Sequence, residues 1–105
     1  MYVCIEFKIM EKLNTEKLEK VAFVLKTIGH PVRLAIINHL AINEKMSVNE
    51  ICEALGLEQS LISHHLNNMK LKGVLDCDKE GNSRYYFVVL EEVLTVINCM
   101  EKCKL

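Results

Sequence analysis

Apolar and polar residues follow a helical rhythm over most of this chain, and residues 74–89 read instead as two extended segments around a turn. The segment Ser47–Val74 is the most regular. Val48, Ile51, Cys52 and Leu55 fall on one side at helical spacing, and Leu55-Gly56-Leu57 interrupts the pattern. Ile62, Leu66 and Met69 then resume it until Gly73 stops the helix. Ser47 is placed to cap the first of these helices, with Glu50 completing a capping box. The second helix has an outer face of Gln59, Ser60, Ser63, His64, Asn67 and Lys70, short hydrogen-bonding groups with few acids among them. Such groups suit base edges and phosphates, although a polar face is also what any solvated helix presents. Helix, glycine turn and helix form the arrangement whose second helix enters the DNA major groove.

Beyond Gly73, Val74, Leu75 and Cys77 begin an extended segment. Lys79-Glu80-Gly81-Asn82 supplies turn chemistry, and Arg84–Val89 is rich in aromatic and β-branched residues, so a hairpin is expected. A helix-turn-helix followed by a hairpin is a winged helix, with Lys79, Asn82 and Arg84 at a tip that can reach phosphates; the alternative is a hairpin that only covers the core. Upstream, Asn14 or Thr15 caps a helix running to Ile28. Leu18, Val21, Ala22, Leu25 and Ile28 are expected inward, and Glu16, Lys17, Glu19, Lys20 and Lys26 outward. Gly29-His30 breaks that helix, and Pro31 starts the next at the position where its missing N–H matters least. This second helix runs to Ile42 and buries Leu34, Ile37 and Leu40. A final helix is predicted over Leu90–Cys103, with Val93, Leu94, Val96, Ile97 and Met100 apolar. Residues 2–9 alternate in polarity and read as a short strand, the ragged start of a helix or an upstream extension. The expected organisation is an N-terminal extension over 1–12 and one domain over 13–105.

Three stretches, LKTIGHPVRLAIINHL (25–40), SVNEICEALGLEQSLISHHLNNMKLKGVL (47–75) and GNSRYYFVV (81–89), together resemble the ArsR/SmtB family of small winged-helix repressors that sense metals or thiol chemistry. They span roughly two thirds of the chain in the family's order. The resemblance implies a fold that is mainly α with a small β-hairpin wing, dimerised through its first and last helices. It further implies a homodimeric repressor that leaves a pseudo-palindromic double-stranded operator when an inducer binds. Gln59, Ser60, Ser63 and His64 then fall at groove-contacting positions, and His65 at that of a partly buried structural histidine. Val21, Phe23, Val24, Leu94, Ile97 and Met100 are the candidate dimer seam, with burial inside one chain as the alternative.

Composition alters this picture little. A chain of 105 residues is one domain, small enough to benefit from burial between copies. No apolar run approaches the ~18 residues that would span a bilayer. No basic region leads into an apolar core and cleavage site, so the expected location is cytoplasmic, with no membrane partner and with reduced cysteines. The net charge of −1 is unusual for a nucleic-acid binder. Residues 59–90 hold Lys70, Lys72, Lys79 and Arg84 against Asp76, Asp78 and Glu80, only a slight basic excess. Two-fold symmetry would double the contacts.

The sensing chemistry departs from the family's best-known patterns. Where the family carries Cys-Val-Cys-Asp-Leu, this chain has Ser47-Val48-Asn49-Glu50-Ile51, and the last helix has Glu91 and Glu92 but no histidine. Cys99 and Cys103 remain, four residues apart, with Cys4 as a third candidate. Two thiolates at that spacing can chelate a soft metal or metalloid such as cadmium or arsenite, or be joined by a disulfide or polysulfide, although a direct bond across one helical turn is near the geometric limit. Cysteine is equally a small apolar packing residue. That role is expected of Cys52 on the buried stripe, and Cys77 is read as structural or incidental. No Cys-x-x-Cys occurs, and His30, His39, His64 and His65 lack catalytic spacing to any cysteine, so an enzyme is not expected. The alternative function is a winged helix that contacts proteins rather than DNA and senses no inducer.

Overall fold

Three of the five described helices start at a side chain that accepts an otherwise unpaired amide hydrogen. In the computed structural model, which describes residues 14–104, Asn14 Oδ1 accepts from the amide of Lys17 at 2.7 Å to begin α1 (Thr15–Ile28). His30 Nδ1 accepts from Val32 at 3.1 Å to begin α2 (Pro31–Asn43), with Pro31 in its first turn. Ser47 and Glu50 form the reciprocal capping box of α3 (Val48–Leu55), at 3.2 and 2.8 Å. The remaining elements are β1 (Met46–Ser47), α4 (Gln59–Leu71), β2 (Leu75–Glu80), β3 (Ser83–Val88) and α5 (Glu91–Glu101). No single described helix is long and apolar enough to cross a membrane.

The core is where the stripes of α2, α3, α4 and α5 meet the root of the hairpin. Ile62, Leu66 and Met69 of α4 are fully buried, as are Ile36 and Ile37 of α2, Ile51 of α3 and Val93 of α5. The hairpin closes on a two-residue Gly81-Asn82 loop, and its register runs from Leu75↔Val88 to Glu80↔Ser83. β3 is the central strand, because β1 pairs with its other edge through Met46↔Tyr86 and Ser47↔Tyr85. The polar stretch Asn43-Glu44-Lys45 reads from the sequence as a loop leading to Ser47, with no strand beside it. A two-residue strand is too short to leave a period, and β1 exists because β3 offers it an edge.

Two expectations need correction. The predicted inner face of α1 is largely uncovered: Leu18, Val21 and Leu25 are 42%, 39% and 49% exposed, and only Thr27 and Ile28 of this helix are buried. α1 meets α2 at 96°, which carries its apolar side away from the body. Gly29 permits that corner, since a Cβ there would stand 2.9 Å from the carbonyl oxygen of Leu25. The last helix also ends earlier than predicted. The amides of Lys102 and Cys103 bond to the carbonyls of Cys99 (3.2 Å) and Met100 (3.1 Å), a tightened final turn, so Cys103 follows α5 rather than lying on it. The alternating segment at 2–9, Cys4 within it, falls outside the described residues.

The capping box carries a stability expectation. Ser47→Ala removes an acceptor from a buried helix start and should cost about 1 kcal/mol in urea unfolding. An unchanged midpoint at unchanged slope would show that α3 is positioned by packing alone.

Candidate nucleic-acid interface

Gly56 turns the chain between α3 and α4. It adopts φ 66° and ψ 34°, a left-handed conformation that glycine takes without penalty, and its amide caps Cys52 at 2.8 Å. The buried stripe of α4 fixes the rotation of that helix, so Gln59, Ser60, His64, Asn67 and Lys70 are exposed and Ser63 is half-buried. Glu58, which precedes α4, makes no side-chain cap bond, and the helix starts with no acid in its first turn. The first amides of α4 therefore have no side-chain acceptor, although the Glu58 carboxylate stands beside them.

Cross-strand pairing sorts the charges of the wing by face, because partners in a ladder lie on the same side of the sheet. Leu75/Val88, Cys77/Tyr86 and Lys79/Arg84 share one face; Asp76/Phe87, Asp78/Tyr85 and Glu80/Ser83 share the other. The first face is the one whose root enters the core through Leu75 and Tyr86. Its tip carries both bases, while the three acids lie on the reverse. Lys79 and Arg84 stand directly opposite each other, an unfavourable pairing of like charges that a bound phosphate would relieve.

Gln59 of α4 and Asn82 and Arg84 of the wing line one cleft of about 270 Å³, together with Ser47 and Asn49 from the start of α3. The structure thus brings together sequence-predicted residues from two elements and adds Asn49, whose position in the first turn after the Ser47 cap was the available signal. Lys45 is another residue that sequence patterning passes over. It makes an ion pair with Glu80 and lies 5.9 Å from the centre of the Tyr85 ring, joining β1 to the acidic face of the wing. Glu80, through its hydrogen bond and its charge, raises the Lys45 pKa above the ordinary lysine value.

Behind the outer face, His65 is 5% exposed. Its Nδ1 accepts from Arg33 Nε at 3.0 Å, and Arg33 Nη1 donates to the carbonyl of Thr27 at 2.8 Å. The His30 and His65 rings lie 4.6 Å apart, and those of His64 and His65 5.6 Å apart. His65 is therefore structural, as expected, and Arg33 is the partner that no local pattern reveals. Burial first, then the proximity of His30, Arg33 and His64, holds the His65 pKa below the ordinary histidine value.

The cysteines are distributed less compactly. Cys52 and Cys77 are half-buried against the core. Cys99 and Cys103 are exposed at and beyond the end of α5. Among the described residues no three His, Cys, Asp or Glu side chains gather to hold a metal ion, and those residues offer two exposed thiols here.

Comparison with known proteins agrees with this geometry. The sequence model for the bacterial regulatory protein, arsR family, matches residues 30–76. The HTH-type transcriptional regulator MJ1325 of Methanocaldococcus jannaschii is 39% identical over 87 residues, covering 83% of this chain and 98% of that protein. Transcriptional repressor PagR of Bacillus anthracis is 36% identical over 85% of this chain and 89% of its own length. The PagR crystal structure superposes with a TM-score of 0.76 over 83% of this chain and 99% of that one. The cadmium resistance regulatory protein CadC of Listeria innocua is 30% identical over 86% of this chain and 73% of its own length.

The buried histidine sets a pH dependence. The folded-state pKa of His65 lies below its unfolded value of 6.5, so the unfolded chain binds more protons on acidification. Stability should therefore decline as pH falls below about 6.5 and go on declining until the folded value is passed. His65→Gln keeps an acceptor without titrating. Between pH 7.5 and 5.5 the parent should lose up to about 1 kcal/mol more than this variant in urea unfolding; identical losses would mean that His65 titrates as freely folded as unfolded.

Proposed function

Because the chain belongs to the ArsR family of bacterial regulatory proteins, winged-helix DNA-binding transcriptional repressors, we propose that it acts in the cytoplasm as a two-fold dimer seating both α4 helices on a pseudo-palindromic operator. The observation that carries this reading is the shared cleft of Gln59, Asn82 and Arg84, which aligns the start of α4 with the basic face of the wing. Gln59, Ser60, Ser63, His64, Asn67 and Lys70 face the major groove, and Lys79, Asn82 and Arg84 reach the flanking backbone. The second copy packs against α1 and α5. There Val21, Val24, Leu25, Leu90 and Val96 line an apolar hollow of about 250 Å³, and Phe23 and Met100 are 49% and 42% exposed. The domain occupies residues 13–105, with 1–12 an extension.

Release is assigned to thiol chemistry at Cys99 and Cys103, which stand at the end of the helix on the proposed seam. A soft metal or metalloid ion displaces the thiol protons and bridges the two sulfurs, with Cys4 or the second copy completing any three-thiolate site; alternatively an oxidant or polysulfide accepts two electrons from the thiols, which lose two protons and are joined by a disulfide or polysulfide bond. A few kcal/mol of differential affinity between two arrangements of the dimer suffices to empty the operator. CadC, related by 30% identity, is named for cadmium resistance, which supports a soft ion as the inducer class.

DNA contact is tested by fluorescence anisotropy against the DNA upstream of the protein's own coding sequence. Affinity should fall steeply with salt. Arg84→Ala should weaken binding to all sequences and reduce the log–log salt slope by about one per subunit. Ser63→Ala or His64→Ala should cost roughly 1–3 kcal/mol against the specific site. Salt-independent or absent binding would leave a winged helix that contacts proteins instead.

For the thiols, the decisive variant is Cys99→Ser with Cys103→Ser. It should bind operator normally and fail to release it with cadmium, arsenite or polysulfide. Release at the parent's inducer concentration would remove both cysteines from the mechanism.

A further inference from the structure

Among the described residues, the bond from Arg33 Nε to His65 Nδ1 at 3.0 Å is the one side-chain hydrogen bond that α4 makes to another element. The apolar stripe of Ile62, Leu66 and Met69 fixes the rotation of this helix more firmly than its position along the axis. The same guanidinium donates from Nη1 to the Thr27 carbonyl at 2.8 Å, so one side chain ties α4 both to α2 and to the end of α1. The tie is conditional. A neutral imidazole accepts at Nδ1 only while its single proton sits on Nε2, and a second proton, placed on Nδ1, removes the lone pair that Arg33 uses.

The surroundings offer that second proton no counter-charge and leave the arginine somewhere to go. The titratable and charged groups acting on the His65 ring are His30 and Arg33 of α2 and His64 of its own helix; α3 and the wing add none. The His30 and His64 rings lie 4.6 and 5.6 Å away. Beyond Arg33, a cleft of about 300 Å³ opens between the end of α1, the start of α2 and the last turn of α4, and its charged lining is Lys26, Arg33 and Lys72. No acid is among these groups. An imidazolium would therefore stand at hydrogen-bond distance from a guanidinium with no carboxylate between them, and repulsion would drive the two apart. Arg33 is half-buried and itself lines the cleft, so the guanidinium has open space to turn into.

We propose that Arg33 and His65 form a proton-operated latch on α4. A proton taken from solvent at His65 Nδ1 breaks the bond from Arg33, the guanidinium turns into the cleft, and α4 is freed from the α1–α2 corner, so that acidification releases the operator. The last step rests on the DNA-binding reading; the latch itself does not. The sign is fixed by linkage: a form that binds DNA only with His65 neutral loses affinity as pH falls, by a factor that grows with the protonated fraction in the free protein. A proton on His64, exposed on the face proposed to meet DNA, acts in the opposite sense by adding positive charge beside phosphate. The latch is therefore read from the difference between the parent and a variant that lacks only the His65 titration.

Two measurements on the full chain test it. The first needs no DNA: imidazole, Arg33 Nε–H and backbone amide chemical shifts are followed from pH 7.5 to pH 5.5 at constant ionic strength. The Arg33 Nε–H and the amides of residues 27–28 and 66–71 should move with the midpoint of the His65 ring, and in His65→Gln those movements should vanish. His65→Asn, which also offers an oxygen to Arg33, serves if the glutamine variant does not fold. A His65 ring that titrates while these resonances stay still, or one that remains neutral throughout, would overturn the latch. The second is fluorescence anisotropy on operator DNA at both pH values. The parent should lose up to about 10-fold more affinity per subunit than His65→Gln, the ceiling reached by a group with the ordinary histidine pKa. Equal losses would overturn release by acid even where the shifts are coupled. If neither protein binds DNA at pH 7.5, it is the DNA-binding reading that fails, and the spectra alone decide the latch.

Discussion

One guanidinium determines how α4 is held. Arg33 sits in the first turn of α2 and donates to the last turn of α1 through the Thr27 carbonyl and to α4 through His65 Nδ1. Three helices therefore meet at a single planar group whose donors point in fixed directions. The apolar stripe of α4 sets the rotation of that helix about its own axis, but an apolar stripe alone tolerates sliding. Directional bonds do not. Neutral His65 is required for this arrangement, because an imidazolium has no lone pair to offer Arg33 and would add a second positive charge beside it.

The electrostatics of the proposed interface illustrate why net charge is a poor guide to partners. At physiological salt, charges more than about 8–10 Å apart are largely screened from one another, so a polyanion responds to the face it meets. In the wing, the two-residue alternation of β2 and β3 places Lys79 and Arg84 on the cleft side and Asp76, Asp78 and Glu80 on the reverse. Lys45 pairs with Glu80, which partly offsets the acid nearest the tip. The exposed pair need contribute little to stability; its importance is in which charges remain uncompensated.

What could be read from the sequence follows the range of the interactions involved. The α3–turn–α4 unit, its capping box and the stripe of Ile62, Leu66 and Met69 depend on neighbours within four residues, and periodicity captures them. The hairpin was legible for the same reason, through Gly81-Asn82 and the strand pattern around it. The Arg33–His65 bond joins residues 32 positions apart, and β1 exists only because β3 lies alongside it, so neither leaves a local trace. The face of α1 was misjudged for a different reason. A helical stripe reports that burial is wanted, not what provides it, and here the remainder of the described chain does not. Cys103 was placed on the last helix because no glycine or proline announces the stop; the helix instead ends by tightening its last turn.

The uncovered side of α1 links the proposed association to the proposed control. Full burial of a Leu or Phe side chain contributes about 1.5–3 kcal/mol, while bringing two molecules together costs at least about 4 kcal/mol. Several of Leu18, Val21, Phe23, Leu25 and Met100 must therefore be covered at once for a second copy to stay bound, and loss of a few contacts at the edge of the seam is enough to alter its geometry. Met100 lies at that edge, between Cys99 and the turn that carries Cys103. The amide of Cys103 is hydrogen-bonded to the Met100 carbonyl, so drawing the Cys103 sulfur toward Cys99 strains the turn that Met100 anchors. The reaction that joins the thiols and the displacement that loosens the seam are then the same movement. In the proposed mechanism, that is how two exposed cysteines at the end of α5 would act on the spacing of the two α4 helices.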